Sequence, residues 1–396
     1  MNPLPLCSLL LTGLLAHLPQ EQSSAPGELF DRVVSTLESR FYDKGFRTSV
    51  LPQLALKYRP FALQAGGLNQ ERQVIHDLLA RIPTSHLGLH SQATYRDLLD
   101  ELANRPHPTF GVVLVERNEA YYVASVLEGG SAAMAGLLRG DRVLEVDEVP
   151  VEWSPRLDWR GDDAALPDPP EHFLVCRDEG DAVSLLVERT PGVRMGLRLE
   201  GAEYCAFEAS QAGARVIEQG GRRFGYVHFW YIPFAGTTRL LTRLAREDFR
   251  NCDGLILDLR GHGGSAGAVF LLVSALSGDN PVWTRPFVAL IDRGTRSAKE
   301  VLAYELKKNH AGILVGEKTA GAVIPATFQE VGSDTVLMFP SFTLGRFTKI
   351  LEGQGVEPDV EASDSLPFAA GADPILYRGV EVLLDAVSGP AGKRRS

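Results

Sequence analysis

The chain lacks a comfortable membrane span. Its apolar start, Leu4–Leu18, falls short of the roughly 20 residues needed to cross a bilayer. Cysteine is scarce, at 4 in 396 residues, and only Cys176, Cys205 and Cys252 lie beyond that start, so no disulfide framework is indicated. No C-x-x-C pair and no H-E-x-x-H helix occurs; "HLGLH" (His86, His90) has i, i+4 spacing but an interior glycine and no acidic partner, which disfavours a zinc site. No long basic cluster precedes the terminal "KRRS" and the net charge is -10, so neither nucleic acid nor an anionic membrane surface is an expected partner. No repeat of fixed period is evident. No histidine lies within ten residues of Ser297, the serine of most chemical interest.

What is present is enough for two or three domains, with 44% hydrophobic and 23% charged residues. Residues 1–25 resemble a secretory signal peptide that lacks a basic start, with cleavage near Gln20–Ala25. That implies an exported protein with no stable membrane span after cleavage. Residues 26–106 read as mostly helical: Phe30, Val33, Val34 and Leu37 form a 3.6-period stripe. Short β-rich runs separated by glycine and charged turns fill 107–192, interrupted by the polar, proline-rich "SPRLDWRGDDAALPDPPEH", which reads as a loop. From 193 to 388 strands and helices alternate, ahead of a tail at 389–396. That order predicts an α/β layer with a partly parallel sheet, whose ligands gather at the carboxyl ends of strands. Two loops sit there, Gly261–Gly267 and Arg293–Ser297. Gly312 suits the C-cap of the helix that follows Ser297.

"SAKE" at Ser297 admits two readings. As S-x-x-E it is a capping box, with Ser297 at the N-cap and Glu300 at N3. Equally, a serine at a strand-to-helix turn exposes its hydroxyl beside unpaired N–H groups, so Ala298 and a glycine loop could hold an oxyanion. The residues alone leave both open.

"GLILDLRGHGGSAG", "VALIDRGTRSAKEVLAYEL", "ILVGEKTAGA" and "EGQGVEPDV", in that order, resemble the C-terminal-processing (tail-specific) and tricorn core protease family. "FGVVL…GSAAMAGLLRGDRVLEVDEVPV" resembles the PDZ domain such proteases insert. The resemblance spans about residues 70–365. It implies a crotonase-like α/β protease core with an inserted β-rich PDZ domain, and Ser297 as nucleophile. Tail-specific members take their base lysine from a T-x-G-K-G run; here Ala322 stands in that place, which excludes that Ser–Lys dyad. Lys318 and Lys299 are off-register and read as solvated. The tricorn-like branch uses a T-S-H histidine, matched by Thr84, Ser85 and His86, with a second serine and a glutamate matched by Ser85 and Glu352. The expected site is therefore Ser297, His86, Ser85 and Glu352, with oxyanion donors Gly264, then Gly263, and Ala298. His228 reads as a packing residue, and His262 is given no base role.

The PDZ-like part implies capture of a peptide C-terminus at Thr109–Val113, with Phe110, Gly111 and Val112 as binding residues. Proteins or peptides are the expected substrates, and no metal or organic cofactor is implied. A non-catalytic peptide- or lipid-binding protein, or an esterase using the same nucleophile, are the competing readings.

Overall fold

The computed structural model describes residues 25–160 and 171–388. The signal-peptide reading and the tail at 389–396 lie outside these residues.

Period-two sorting of apolar residues builds the main sheet. Leu255 and Leu257 in the strand Gly254–Asp258, and Ala289 and Ile291 in Phe287–Ile291, face one core, while Ile256, Val288 and Leu290 face another. Both strands are buried along their whole length, as a parallel sheet covered on both faces requires. The sheet runs Arg215–Gln219, Arg222–His228, Gly254–Asp258, Phe287–Ile291, Ile313–Gly316, Val360–Glu361, and every pairing after the first is parallel. Helices Thr237–Arg246, Ala266–Ser277 and Ser297–Lys308 cover one face, through Leu241, Leu272 and Leu302. Helix Pro374–Ser388 covers the other with Ile375 and Leu383. Each fully buried leucine or isoleucine contributes about 1.5–3 kcal/mol. Because the strands run the same way, the loops after Asp258 and Ile291 emerge side by side.

The serine helix ends at Asn309, short of the expected cap at Gly312. That glycine instead lets the chain pass close under Phe287, whose ring would lie 2.4 Å from an added β-carbon.

The N-terminal helices Glu28–Arg40, Leu51–Leu63 and Leu68–Leu79 enclose a separate core around Phe30, Val33, Leu37 and Leu78. Leu337 and Phe339, from nearly three hundred residues later, complete it. They belong to Thr335–Pro340, which pairs antiparallel with Gly88–Ser91 on one side and Ala326–Gly332 on the other. His90 therefore lies on a strand, and its i, i+4 spacing from His86 has no helical meaning. Among the described residues no group of three or more acidic, histidine or cysteine side chains could hold a metal ion.

The β-rich segment forms one largely antiparallel sheet around Leu114, Val123, Val143 and Val187. Two expectations change here. The ends of the proline-rich stretch are strands, Leu157–Arg160 and Glu171–Leu174, paired with each other. Val193–Glu200, placed by the sequence reading at the start of the α/β core, pairs instead with Ala182–Thr190 in this sheet. Turn-forming glycine and proline break the sequence pattern, but strand pairing carries through them. Cys176, Cys205 and Cys252 are all free thiols.

Candidate active site

Ser297 is the first residue of its helix, with Arg296 at the N-cap, and it holds a left-handed φ of 55°. A serine there costs on the order of 1–3 kcal/mol, so surrounding contacts must enforce it. One is direct: Ser297 N–H donates to the Ala322 carbonyl at 2.7 Å. The expected capping box does not form, since no side chain caps this helix. Glu300 is buried and turned toward the 319–322 segment, where it accepts from Thr319 Oγ1 and, at 2.8 Å each, from the N–H groups of Gly321 and Ala322. Burial raises its pKa to about 7 against the pull of those donors. The glutamate read as a cap thus fixes the carbonyl that fixes Ser297.

The glycine loop closes on the serine from the neighbouring strand end. A β-carbon on Gly263 would lie 2.6 Å from Ser297 Cβ and 2.7 Å from the Arg296 carbonyl oxygen. Gly264, with φ 137°, lies against Ile232, whose N–H donates to Gly263 O at 3.2 Å and whose carbonyl accepts from Ser265 N at 2.7 Å. Among the described residues the N–H groups of Gly263, Gly264 and Ala298 take no hydrogen-bond partner. Such donors can receive an anion formed at Ser297.

Glu352 gathers the histidine side. Its Oε1 accepts from Ser85 N–H at 2.8 Å. Its Oε2 accepts from Ser85 Oγ at 3.1 Å and from the N–H groups of Val323 and Ile324 at 3.0 Å each. Ser85 Oγ lies 2.9 Å from His86 Nδ1. The hydroxyl proton goes to the carboxylate, so the oxygen must accept from Nδ1–H, and Nε2 keeps its lone pair. His86 is buried, with φ 53°. Ser297 and Ser85–His86 are therefore anchored to one tripeptide: the carbonyl of Ala322 holds the first, and the N–H groups of Val323 and Ile324, through Glu352, hold the second.

Lys299 overturns its solvated reading. It is 0% exposed, and its Nζ donates to the carbonyls of Trp230 at 3.1 Å and Arg260 at 2.8 Å. Burial lowers its pKa to about 7, with Asp258 and Asp292 opposing the fall. The signal was in the sequence: Lys299, Leu302, Ala303 and Leu306 make an i, i+3, i+4, i+7 stripe, and all four are fully buried. Lys318, by contrast, is half exposed and pairs with Glu357 at 2.7 Å, as a surface lysine should. His228 stacks on Trp230 at 3.8 Å and bonds to the Arg260 carbonyl, in keeping with a packing role; burial lowers its pKa. His262 pairs with Glu171 of the β-rich sheet and stands outside the Glu352–Ser85–His86 chain.

A cleft of about 650 Å³ separates that sheet from the site, lined by Val115 and Ser125 on one side and Gly261, His262 and Arg296 on the other. Phe110, Gly111 and Val112 are not among its lining. Phe110 and Val112 are buried in the sheet's own core, and Gly111 N–H is already bound to Thr109 Oγ1 at 3.0 Å. What these residues offer a ligand is therefore the backbone of the Thr109–Val113 loop, not the Phe110 or Val112 side chains.

Residues 271–362 match Peptidase family S41, a stretch that includes Ser297, Glu300, Ala322 and Glu352. The tricorn protease of Thermoplasma volcanium is 25% identical over 271 residues, covering 62% of this chain and 25% of that protein. Carboxyl-terminal-processing peptidase 2, chloroplastic, of Arabidopsis thaliana is 26% identical over 277 residues, covering 62% of this chain and 50% of its own length. A crystal structure of the tricorn protease shares the fold at a TM-score of 0.53 and 17% identity, over 92% of this chain and 37% of the other. The chain thus spans between a quarter and a half of the length of these relatives, and its likeness to the family is carried by the matched residues 271–362.

Proposed function

We propose that this chain is a serine endopeptidase in which Ser297 is the nucleophile and His86 the general base. Ser297 Oγ bonds to the carbonyl carbon of a peptide as its proton passes to His86 Nε2. The carbonyl becomes an oxyanion held by the N–H groups of Ala298, Gly263 and Gly264. Collapse breaks the C–N bond, and His86 gives its proton to the departing amine. Water, deprotonated by the same nitrogen, then releases the acyl group. Ser85 and Glu352 hold the imidazole in the tautomer whose proton sits on Nδ1, so that Nε2 is the basic nitrogen.

The observation that carries this reading is the shared tripeptide 322–324, which anchors the serine by its carbonyl and the histidine by its N–H groups. The family match lends support. We read the α/β unit as a crotonase-like core and the β-rich sheet as an inserted PDZ-like module. On this reading a substrate terminus docks at Thr109–Val113 by displacing Thr109 Oγ1 from Gly111 N–H. The protein is exported if residues 1–25 act as a signal.

A fluorophosphonate probe tests the chemistry. The unaltered chain should be labelled at Ser297, Ser297→Ala should not be labelled at all, and His86→Ala should react on the order of 10²–10⁴-fold more slowly. Undiminished labelling of His86→Ala would remove the histidine from the mechanism. Casein cleavage compared with hydrolysis of short acyl esters separates a peptidase from an esterase.

A further inference from the structure

We propose that Lys299 is a positioning residue for this reaction: from the serine helix, its buried ammonium grips the carbonyls of Trp230 and Arg260 and so fixes the glycine loop that receives the oxyanion. The proposal rests on Ser297 being the nucleophile.

The two carbonyls flank that loop. Arg260 immediately precedes Gly261 in sequence, and Trp230 stands two residues before Ile232. Ile232 in turn bonds to Gly263 through its N–H at 3.2 Å and to Ser265 through its carbonyl at 2.7 Å. Lys299 is thus the one side chain, among the described residues, whose hydrogen bonds from the serine helix reach both walls of the loop. Its neighbours on the buried stripe, Leu302, Ala303 and Leu306, are apolar, and a methionine would suit that environment with no desolvation cost. Only the carbonyls call for an amine.

The groups around it fix the sign of its pH response. Asp258, at the end of a central strand, and Asp292, beyond the next strand, favour the charged form. Arg260 opposes it, and His228, on the adjoining strand, lies in the same field. Burial outweighs the two aspartates and brings the pKa down to about 7, so the ammonium is lost as pH rises through neutrality. Hydrogen bonds from a charged donor are about twice as strong as neutral ones, so the grip slackens with that proton.

Fluorophosphonate labelling at Ser297 and binding of a peptide boronic acid, which forms a tetrahedral adduct, both read the loop. Lys299→Met should slow labelling and weaken boronate binding by roughly 10- to 100-fold, the scale of a misplaced catalytic group, while leaving product-peptide affinity unchanged. Lys299→Arg, which keeps the charge and the donors, should recover part of the loss. A Lys299→Met protein that labels at the unaltered rate overturns the proposal. If Lys299→Met does not fold, Lys299→Gln, which keeps a donor without the charge, decides: it should label several-fold more slowly, and labelling at the unaltered rate overturns the proposal. Absence of any labelling of the unaltered chain would instead defeat the nucleophile assignment beneath it.

Discussion

Ser85 Oγ stands between His86 Nδ1, at 2.9 Å, and Glu352 Oε2, at 3.1 Å. One hydroxyl with one proton cannot donate to both, and the carboxylate has no proton to give. The direction of the relay follows from that alone: the carboxylate accepts from the hydroxyl, the hydroxyl accepts from Nδ1–H, and the basic lone pair falls to Nε2.

Ser85→Ala removes the middle of this relay and frees the imidazole to adopt either tautomer. Peptide turnover should fall on the order of 10²-fold, the lower range of an acid–base contribution, with KM little changed. A steady-state comparison of kcat and KM checks it.

Glu352→Gln should do more harm than its size suggests. Oε2 accepts three hydrogen bonds, from Ser85 Oγ, Val323 N and Ile324 N. An amide NH₂ in that place would point donors at donors. Turning the amide round would move the same conflict to Ser85 N–H, which Oε1 accepts. The expected outcome is a lower melting temperature together with strongly reduced probe labelling, because one tripeptide holds both halves of the site. Differential scanning calorimetry and labelling kinetics on the same sample check it.

Gly263→Ala probes the contact between loop and serine. The added methyl would sit 2.6 Å from Ser297 Cβ, so either loop or serine must shift. Overpacking of this kind costs about 1–3 kcal/mol of stability. Labelling should slow by about 100-fold for a displacement near 1 Å, whatever the stability cost. Urea unfolding beside labelling rates separates the two.

Lys299 also sets a stability trend. Its pKa is about 7 in the fold against an ordinary 10.5, so between those values the unfolded chain binds the extra proton. Stability therefore rises with pH across that window for this group, and its contribution is smallest below neutrality. Melting temperatures of the unaltered protein, relative to Lys299→Met, should climb from pH 7 toward pH 10. A constant difference would mean that the lysine keeps its proton throughout.

Much of this was legible from residues. The alternating order of strand-like and helix-like runs pointed to the parallel sheet, and the 3.6-period stripe at Phe30, Val33, Val34 and Leu37 located the first helix. The motif order pointed to Ser85, His86 and Glu352, which the fold brings together across 267 residues of separation. What escaped was long-range satisfaction of buried polar groups. "SAKE" has the letters of a cap, but Glu300 found donors on the 319–322 segment and Lys299 found carbonyls on two strand ends. Nothing local in the sequence names those partners. The strands Leu157–Arg160 and Val193–Glu200 escaped for a related reason, since their partners supply the order that their own composition does not.

The pairing of Gly88–Ser91 with Thr335–Pro340 has a consequence for how the proposed site assembles. Ser85 and His86 lie just ahead of the first strand, so they meet Glu352 only once the N-terminal helices have docked on the hairpin Ala326–Pro340, a slow, high-separation closure. On the proposed mechanism, a cut that parts these two segments leaves the hydroxyl in place and takes its proton acceptor away.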